Sequence, residues 1–447
     1  MAGVQTDLTQ GSVTKQLIKY ALPLVVSSLL QSIYSITDMI VADRCVGSAG
    51  VSAINTACVV MNMITQIAIG LTVGGNILVG QYFGRREHDS RKRAAGTLFT
   101  LCLVVGLVAA AVLCILAEPL MKLLNAPTLT EAVDYFSICA IGVFFIFSYN
   151  ALSAILRGVG NSKLPLYCII VSVVLNIVLD ILFMAVFRWG VKGAALATVI
   201  GQCVSFIVAL IFCIVNGKEL GIGLKFLRLP GSIVKQTLRL GMPTALQFTI
   251  ASISWLTVIA LINSYGEVVS AGNGAANKIR DFCQVFITAM TTGAGTMCAQ
   301  CIGAQMYDRA EKVMKTCLKI TVGMALVIIA LAEIFAPQLC SIFASDPEVQ
   351  HWAVINLRIE IVCQLFYAGM FSYNTLATGS GHTMFLMWNT FLNCIVVRLV
   401  LALLLNWIMG PNGIYGVYIA CGVAVASSVP VGMWFYRSNR WRTSLVK

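Results

Sequence analysis

Asn176 and Asp180 stand four residues apart inside an unbroken apolar run, Leu164 to Phe187. On a helix that spacing puts both side chains on one face, one turn apart. The pair offers an amide and a carboxylate aimed in one direction. A carboxylate at such depth is expensive, and acids in apolar spans usually mark ion or substrate sites. The first apolar run carries another acid, Asp38, and later runs carry Glu333 and Glu360. Oxygen donors of this kind suit the binding of a cation.

The runs that position these groups leave little choice of environment. Of 447 residues, 59% are hydrophobic and 11% charged. A soluble domain carries about 25% charged residues, so this chain could not coat a water-facing surface. The apolar runs are long and lack the alternation of an outer-membrane barrel, so they are helices. The formal net charge of +12 does not point to nucleic acid, because the charges fall in short clusters between apolar runs. Many of the 16 Cys (Cys102, Cys139, Cys168 and Cys203 among them) lie within apolar spans, where Cys behaves as a small hydrophobe. The three His lie in or beside loops. No cofactor and no structural metal site is expected. The polar start, Met1 to Gly11, does not have the pattern of a secretory leader.

About twelve spans of bilayer length follow, near 17–41, 51–80, 94–117, 133–156, 164–187, 191–215, 238–264, 279–302, 316–336, 353–377, 384–409 and 413–436. Most of the 30 Lys and Arg gather on one side. They sit at Lys15 and Lys19, in 85–93, at Arg157 and Lys163, and in 218–239, 309–319 and 437–447. The opposite turns carry Glu118, Glu131, Asp134, Asp346 and Glu348. Positive charge marks the cytoplasmic side, so both termini are expected there.

The chain also repeats itself at offsets near 220 positions. Leu22-Pro23 recurs as Met242-Pro243. Gln81-Tyr82-Phe83-Gly84 recurs as Gln300-Cys301-Ile302-Gly303, and Ser148-Tyr149-Asn150 as Ser372-Tyr373-Asn374. Gly190-Val191-Lys192-Gly193 recurs as Gly413-Ile414-Tyr415-Gly416. Six spans per repeat is an even number, so both halves enter from the same side. The expected fold is an all-α integral membrane protein of twelve helices in two six-helix lobes, related by a pseudo-twofold along the membrane normal. The lobes would be 1–215 and 237–447, joined by a cytoplasmic linker, 216–236.

With these signposts, Asp38 and the Asn176/Asp180 pair, the chain resembles the multidrug and toxic compound extrusion (MATE) family over nearly its whole length. The resemblance implies export of cationic or amphipathic organic compounds against inward flow of Na⁺ or H⁺, by alternating access in a bacterial inner membrane. In the prokaryotic DinF-like branch, one site is built from an Asp of the first span, an Asn and an Asp one turn apart in the fifth, and a Thr in the sixth. Asp38, Asn176, Asp180 and Thr198 match those positions. All four are hard oxygen donors suited to Na⁺, and the carboxylates could instead carry a proton. The second half keeps the amide as Asn393 but has Val258, Val397 and Cys421 opposite Asp38, Asp180 and Thr198. The acids of the second half that the NorM-like branch uses are not matched: Glu333 is expected at the interface, and Glu360 early in its span.

Gln31, Tyr34, Met61, Met63, Tyr149, Asn150 and Met184 are candidates to line a first-half cavity, since Met and aromatic side chains make adaptable surfaces. Simple packing is the competing role for each Met. Arg398 either closes a salt bridge between helices or faces the cavity. Pro23 precedes Asp38 by 15 residues, about 22 Å of helix. It is either a hinge, as the resemblance implies, or a static proline in the first turns. The expected partners are a small organic cation or amphipath and membrane lipid, and the expected state is a monomer. Two rival functions stay open. A lipid-linked oligosaccharide flippase of similar fold would line its cavity with basic residues. A membrane-embedded transferase would need paired acids or a buried His.

Overall fold

The computed structural model describes residues 5–126, 128–220, 222 and 227–446, except the side chains of 48, 49 and 218. Of the expected linker, Gly221, Gly223 and Lys225 lie outside the described residues, as does Lys447. Almost every described residue outside short turns is helical. Unit 1 carries α1 (Val13–Gly47), α2 (Gly50–Gly84), α3 (His88–Ile115), α4 (Leu129–Gly158), α5 (Lys163–Val186) and α6 (Gly190–Val215), except the opening turns of α1. Beyond them come α7 (Gly231–Asn263), α8 (Glu267–Gly303) and α9 (Tyr307–Ile334).

The tenth span, α10, is bent by 40° between Pro347–Ile361 and Gln364–Ser380. The last long apolar stretch, Thr383–Arg437, turns at Gly410, where φ is 53°. It thereby becomes two helices, α11 (Thr383 to Met409) and α12 (Gly413–Arg437), packed against each other. Ten stretches among the described residues are long and apolar enough to cross a membrane, or eleven with the bent pair; the turn at Gly410 brings the spans to twelve. Their outward side chains, such as Leu107, Val108 and Ile115 on α3 and Leu403, Trp407 and Ile408 on α11, are exposed apolar groups, as a lipid-facing surface requires.

The repeated signposts have a structural reason. After Gly84 and after Gly303 the helix closes in the same way. Glu87 N donates to Tyr82 O (3.1 Å), and Met306 N donates to Cys301 O (2.8 Å). The residue before each, Arg86 and Gln305, has φ near +60° (63° and 59°). This is a left-handed C-terminal cap that satisfies otherwise orphaned carbonyls. The fourth and tenth spans repeat it at Gly160 and Gly381 (φ 82° and 79°). The repeated glutamine is also used: Gln300 Oε1 accepts from Leu8 N at 3.0 Å. Arg309 donates to the carbonyls of Leu8, Gln10 and Gly11. The segment before α1 is thus tied to the start of α9.

The chain forms two compact units. Unit 1 holds the described residues up to Asp7 and Val26–Ala245; unit 2 holds Leu8–Val25 and the chain from Leu246. Each therefore takes one six-span repeat, with the opening turns of α1 and α7 exchanged. The exchange points fall two residues after Pro23 and after Pro243.

Inside unit 1 the opening of α7 is held by a small-residue crossing. Gly70 and Gly74 of α2 meet Gly241 and Ala245 of α7, and a Cβ at Gly74 would lie 2.6 Å from the Gly241 nitrogen and 2.8 Å from the Thr237 carbonyl oxygen. Small residues four apart on both helices let backbones approach this closely. Neither neighbour is a side chain that can turn away. Gly74→Ala is therefore expected to cost about 2 kcal/mol, read as a lowered melting temperature of the purified protein in detergent.

Several spans begin earlier than expected, such as the third at His88, the seventh at Gly231 and the ninth at Tyr307, and the eighth differs most. The eighth span begins at Glu267, not near 279, behind Gly266 with φ 101° and with Glu267 in its first turn. A glycine followed by an acid is a helix-start signal. The apolar-run criterion passed over it because Gly266 to Asn277 is small and polar. The consequence is that Arg280 lies more than three turns inside the helix and is 8% exposed. Of the sixteen cysteines, all free, Cys298 and Cys301 sit three apart on α8 and are buried.

Candidate functional site

The face of α5 that carries Asn176 and Asp180 also carries Cys168 and Ser172, four residues apart each time. That face lies on α6. Ser172 Oγ donates to Gly201 O (2.9 Å), and Ser205 Oγ donates to Cys168 O (3.1 Å). Gly201 lets the helices close, since a Cβ there would come 3.4 Å from Asn176 Cβ. Thr198 lies three and seven residues before Gly201 and Ser205 on the same face of α6. Two serine bonds and one glycine therefore set the amide, the carboxylate and the hydroxyl side by side.

Asp180 is the last α-helical residue before a π-helical turn, Ile181–Val186. Such turns widen a helix locally and are frequent at functional sites. From α1, Tyr34 brings its hydroxyl 3.4 Å from Thr198 Oγ1. One turn further on, Asp38 places its carboxyl close enough to that of Asp180 for the two to interact. The structure thus brings together Asp38, Asn176, Asp180 and Thr198, and adds Tyr34 to them.

The polar groups here lack partners. Asp180 is fully buried and Asn176 is 3% exposed. Among the described residues neither carboxylate oxygen of Asp180, neither amide atom of Asn176, nor Oδ1 of Asp38 has a hydrogen-bond partner. Buried polar groups in native proteins are nearly always satisfied. Two facing carboxylates in a low dielectric repel strongly unless a positive charge lies between them. A proton shared by the acids or a metal ion with oxygen ligands would meet both needs.

The second half is built differently at the matching places. Asn393 Nδ2 donates to Ser428 Oγ at 3.0 Å, so this amide is satisfied where Asn176 is not. Val258 is 1% exposed, in an apolar cluster with Ile262, Val417 and Tyr418. A π-helical turn recurs, Leu392–Leu399, and it carries Asn393 and Arg398.

The other candidates are placed as follows. Gln31 is exposed, and Met63, Tyr149 and Asn150 are half-buried. Tyr149 donates to Pro165 O (3.2 Å) and Asn150 to Ile146 O (2.8 Å). Met61 and Met184 are buried among core side chains of unit 1. Pro23 is buried ten residues into α1, beyond the first turns where a proline is tolerated without cost. Arg398 belongs to unit 2 and is 6% exposed. Glu333 pairs with Arg358 at 3.6 Å across half-exposed side chains, whereas Glu360 pairs with Arg280.

The MatE family profile matches the chain twice, over residues 23–182 and 243–404. The chain belongs to the MATE family. Its members are transporters, not enzymes. The two matched stretches begin at the two prolines, so the duplication seen in the sequence is that of the MATE repeat. A probable multidrug resistance protein of Bacillus subtilis (strain 168), YoeA, is 28% identical over 365 residues, 80% of this chain and 79% of its own length. A MATE protein solved in a straight conformation superposes with a TM-score of 0.92 at 22% identity, each chain covered to 98%. One solved in a bent conformation gives 0.91 at 22% identity, covering 98% of this chain and 97% of its own. The MATE fold is therefore common to all three, and this chain is a multi-pass membrane transporter.

The residues missed by sequence reasoning are Arg280 and Trp255, whose spans read as ordinary apolar helix, and the two π-helical turns. No periodicity reports a π turn, since one extra residue per turn leaves an apolar run apolar.

Proposed function

We propose that this transporter exports cationic or amphipathic organic compounds across the cytoplasmic membrane in exchange for Na⁺ or H⁺, both termini lying on the cytoplasmic side. The observation that supports it is the unpartnered oxygen cluster of Asp38, Asn176 and Asp180 inside unit 1. Its carboxylate and amide oxygens are the ligand type that a hard cation takes. Thr198 and Tyr34 complete a set of oxygen ligands. The name of YoeA, a probable multidrug resistance protein, supports drug-like organic compounds as substrates. Gln31, Tyr34, Met63, Tyr149 and Asn150 line the substrate path, with Met61 and Met184 packed behind them in the core, each half of the duplication forms one lobe, and the functional unit is a monomer.

Coupling requires that ion and substrate prefer different states, because a ligand shifts an equilibrium only by its differential affinity. Helix α1 is the element to carry the change. It holds Asp38, it lacks one backbone hydrogen bond at Pro23, and it changes compact unit two residues later. Structures of the same fold have been solved in a straight and in a bent conformation. Pro23→Ala is expected to slow coupled export severalfold while cation binding is retained. Equal export rates would remove the hinge.

The experiment that tests the function is efflux of a fluorescent organic cation from proteoliposomes under a Na⁺ gradient and, separately, a pH gradient. Export driven by one of them supports antiport and names the ion. Movement under neither gradient refutes it.

A further inference from the structure

We propose that unit 2 holds a binding site for a single monovalent anion of about halide size, built on Arg398. A small cavity of about 10 Å³ is lined by Trp255, Arg280, Glu360, Tyr367 and Arg398, with Cys363 and Cys421. That volume admits roughly one water-sized particle. Two guanidinium groups and one carboxylate face it. Glu360 is committed to Arg280, which also reaches Asp281 at 3.2 Å. Asp281 is 67% exposed at its side chain and does not line the cavity. The lining therefore carries one positive charge in excess.

That excess belongs to Arg398. Its side chain is 6% exposed, and its Nε is buried without a partner. No carboxylate or carbonyl among the described residues accepts from it. Its guanidinium lies over the face of Trp255, at 5.9 Å from the ring centroid, while Arg280 stacks on the same ring at 4.4 Å; Tyr367 and the Arg280-paired Glu360 share the cavity with it. A face-on ring stabilises a guanidinium but accepts no in-plane N–H. Arginine presents five such donors in a fixed fork, and a buried charge left without a counter-charge is strongly unfavourable. An anion in the cavity would take the free N–H groups of Arg398, with the Tyr367 hydroxyl and the Arg280 Nε–H, also unpartnered, as further donors. The two halves of the duplication would then bind charges of opposite sign, a cation at Asp38 and Asp180 and an anion at Arg398.

The test is equilibrium binding of radioactive chloride to the purified full-length protein in gluconate buffer, with no transport involved. Saturable binding of one chloride per chain is expected, reduced at least tenfold in Arg398→Gln and largely kept in Arg398→Lys. Glu360→Gln removes the competing negative charge. It should bind chloride at least tenfold more tightly, and chloride should raise its melting temperature more than that of the wild type. Acetate is the second arm: it should not displace chloride, because the cavity of about 10 Å³ admits roughly one water-sized particle, and displacement by acetate would count against a halide-sized site. No saturable chloride binding, or binding unaltered in both Arg398→Gln and Glu360→Gln, would overturn the site and leave a water between Arg398 and Glu360.

Discussion

Asp180→Asn is expected to abolish gradient-driven export while the protein remains folded in the membrane. The substitution keeps size and shape, so the packing of α5 on α6 through Ser172 and Gly201 is undisturbed. It removes one of two facing charges. Each hydrogen bond or contact to an ionised group is worth about 1.5–3 kcal/mol, so cation affinity should fall by roughly 100-fold, about 2.7 kcal/mol. Asp38→Asn should do the same, and the double variant little more, because the pair holds one ion. The measurement is Na⁺- or pH-gradient-driven dye efflux beside direct ion binding by calorimetry. Efflux at the wild-type rate in Asp180→Asn would remove the acids from the coupling site.

Arg280→Met is expected to destabilise unit 2 by about 3–5 kcal/mol. Arg280 and Glu360 form an ion pair whose side chains are 10% and 4% exposed. Removing the cation leaves Glu360 buried with its Oε1 already lacking a partner, and stranding one member of a buried pair costs about this much. The double variant Arg280→Met/Glu360→Met should recover most of the loss, since an apolar pair of similar volume is often no worse than the ion pair. Thermal melts of the four proteins complete the cycle. A double variant destabilised by the sum of the two single losses would show that the positions act independently.

The fold was legible because a bilayer is an exacting solvent. Every backbone group in hydrocarbon must be bonded within its own helix, so span after span announces itself by length alone. The duplication was legible in part because one of its signposts precedes a cap. The turns after Gly84 and Gly303 need left-handed residues in the same places, and the structure adds Gly160 and Gly381, both with positive φ. Local geometry of that kind is written in local sequence. The acids were legible for the same reason as the spans, because a carboxylate in an apolar run stands out.

What only the tertiary structure decided is which buried polar groups have partners. Asn176 and Asn393 are equivalent in the repeat, yet the second donates to Ser428 and the first to nothing. Glu360 and Arg280 are 80 positions apart and pair in the interior, while Arg398, the arginine visible in the sequence, pairs with no acid. The opening turns of α1 and α7 each pack with the other repeat's unit, an exchange that no helical periodicity records. A side chain's cost of burial is fixed by its own chemistry and can be read from its type. The compensation comes from atoms on other helices, and the chain must fold before those atoms are neighbours.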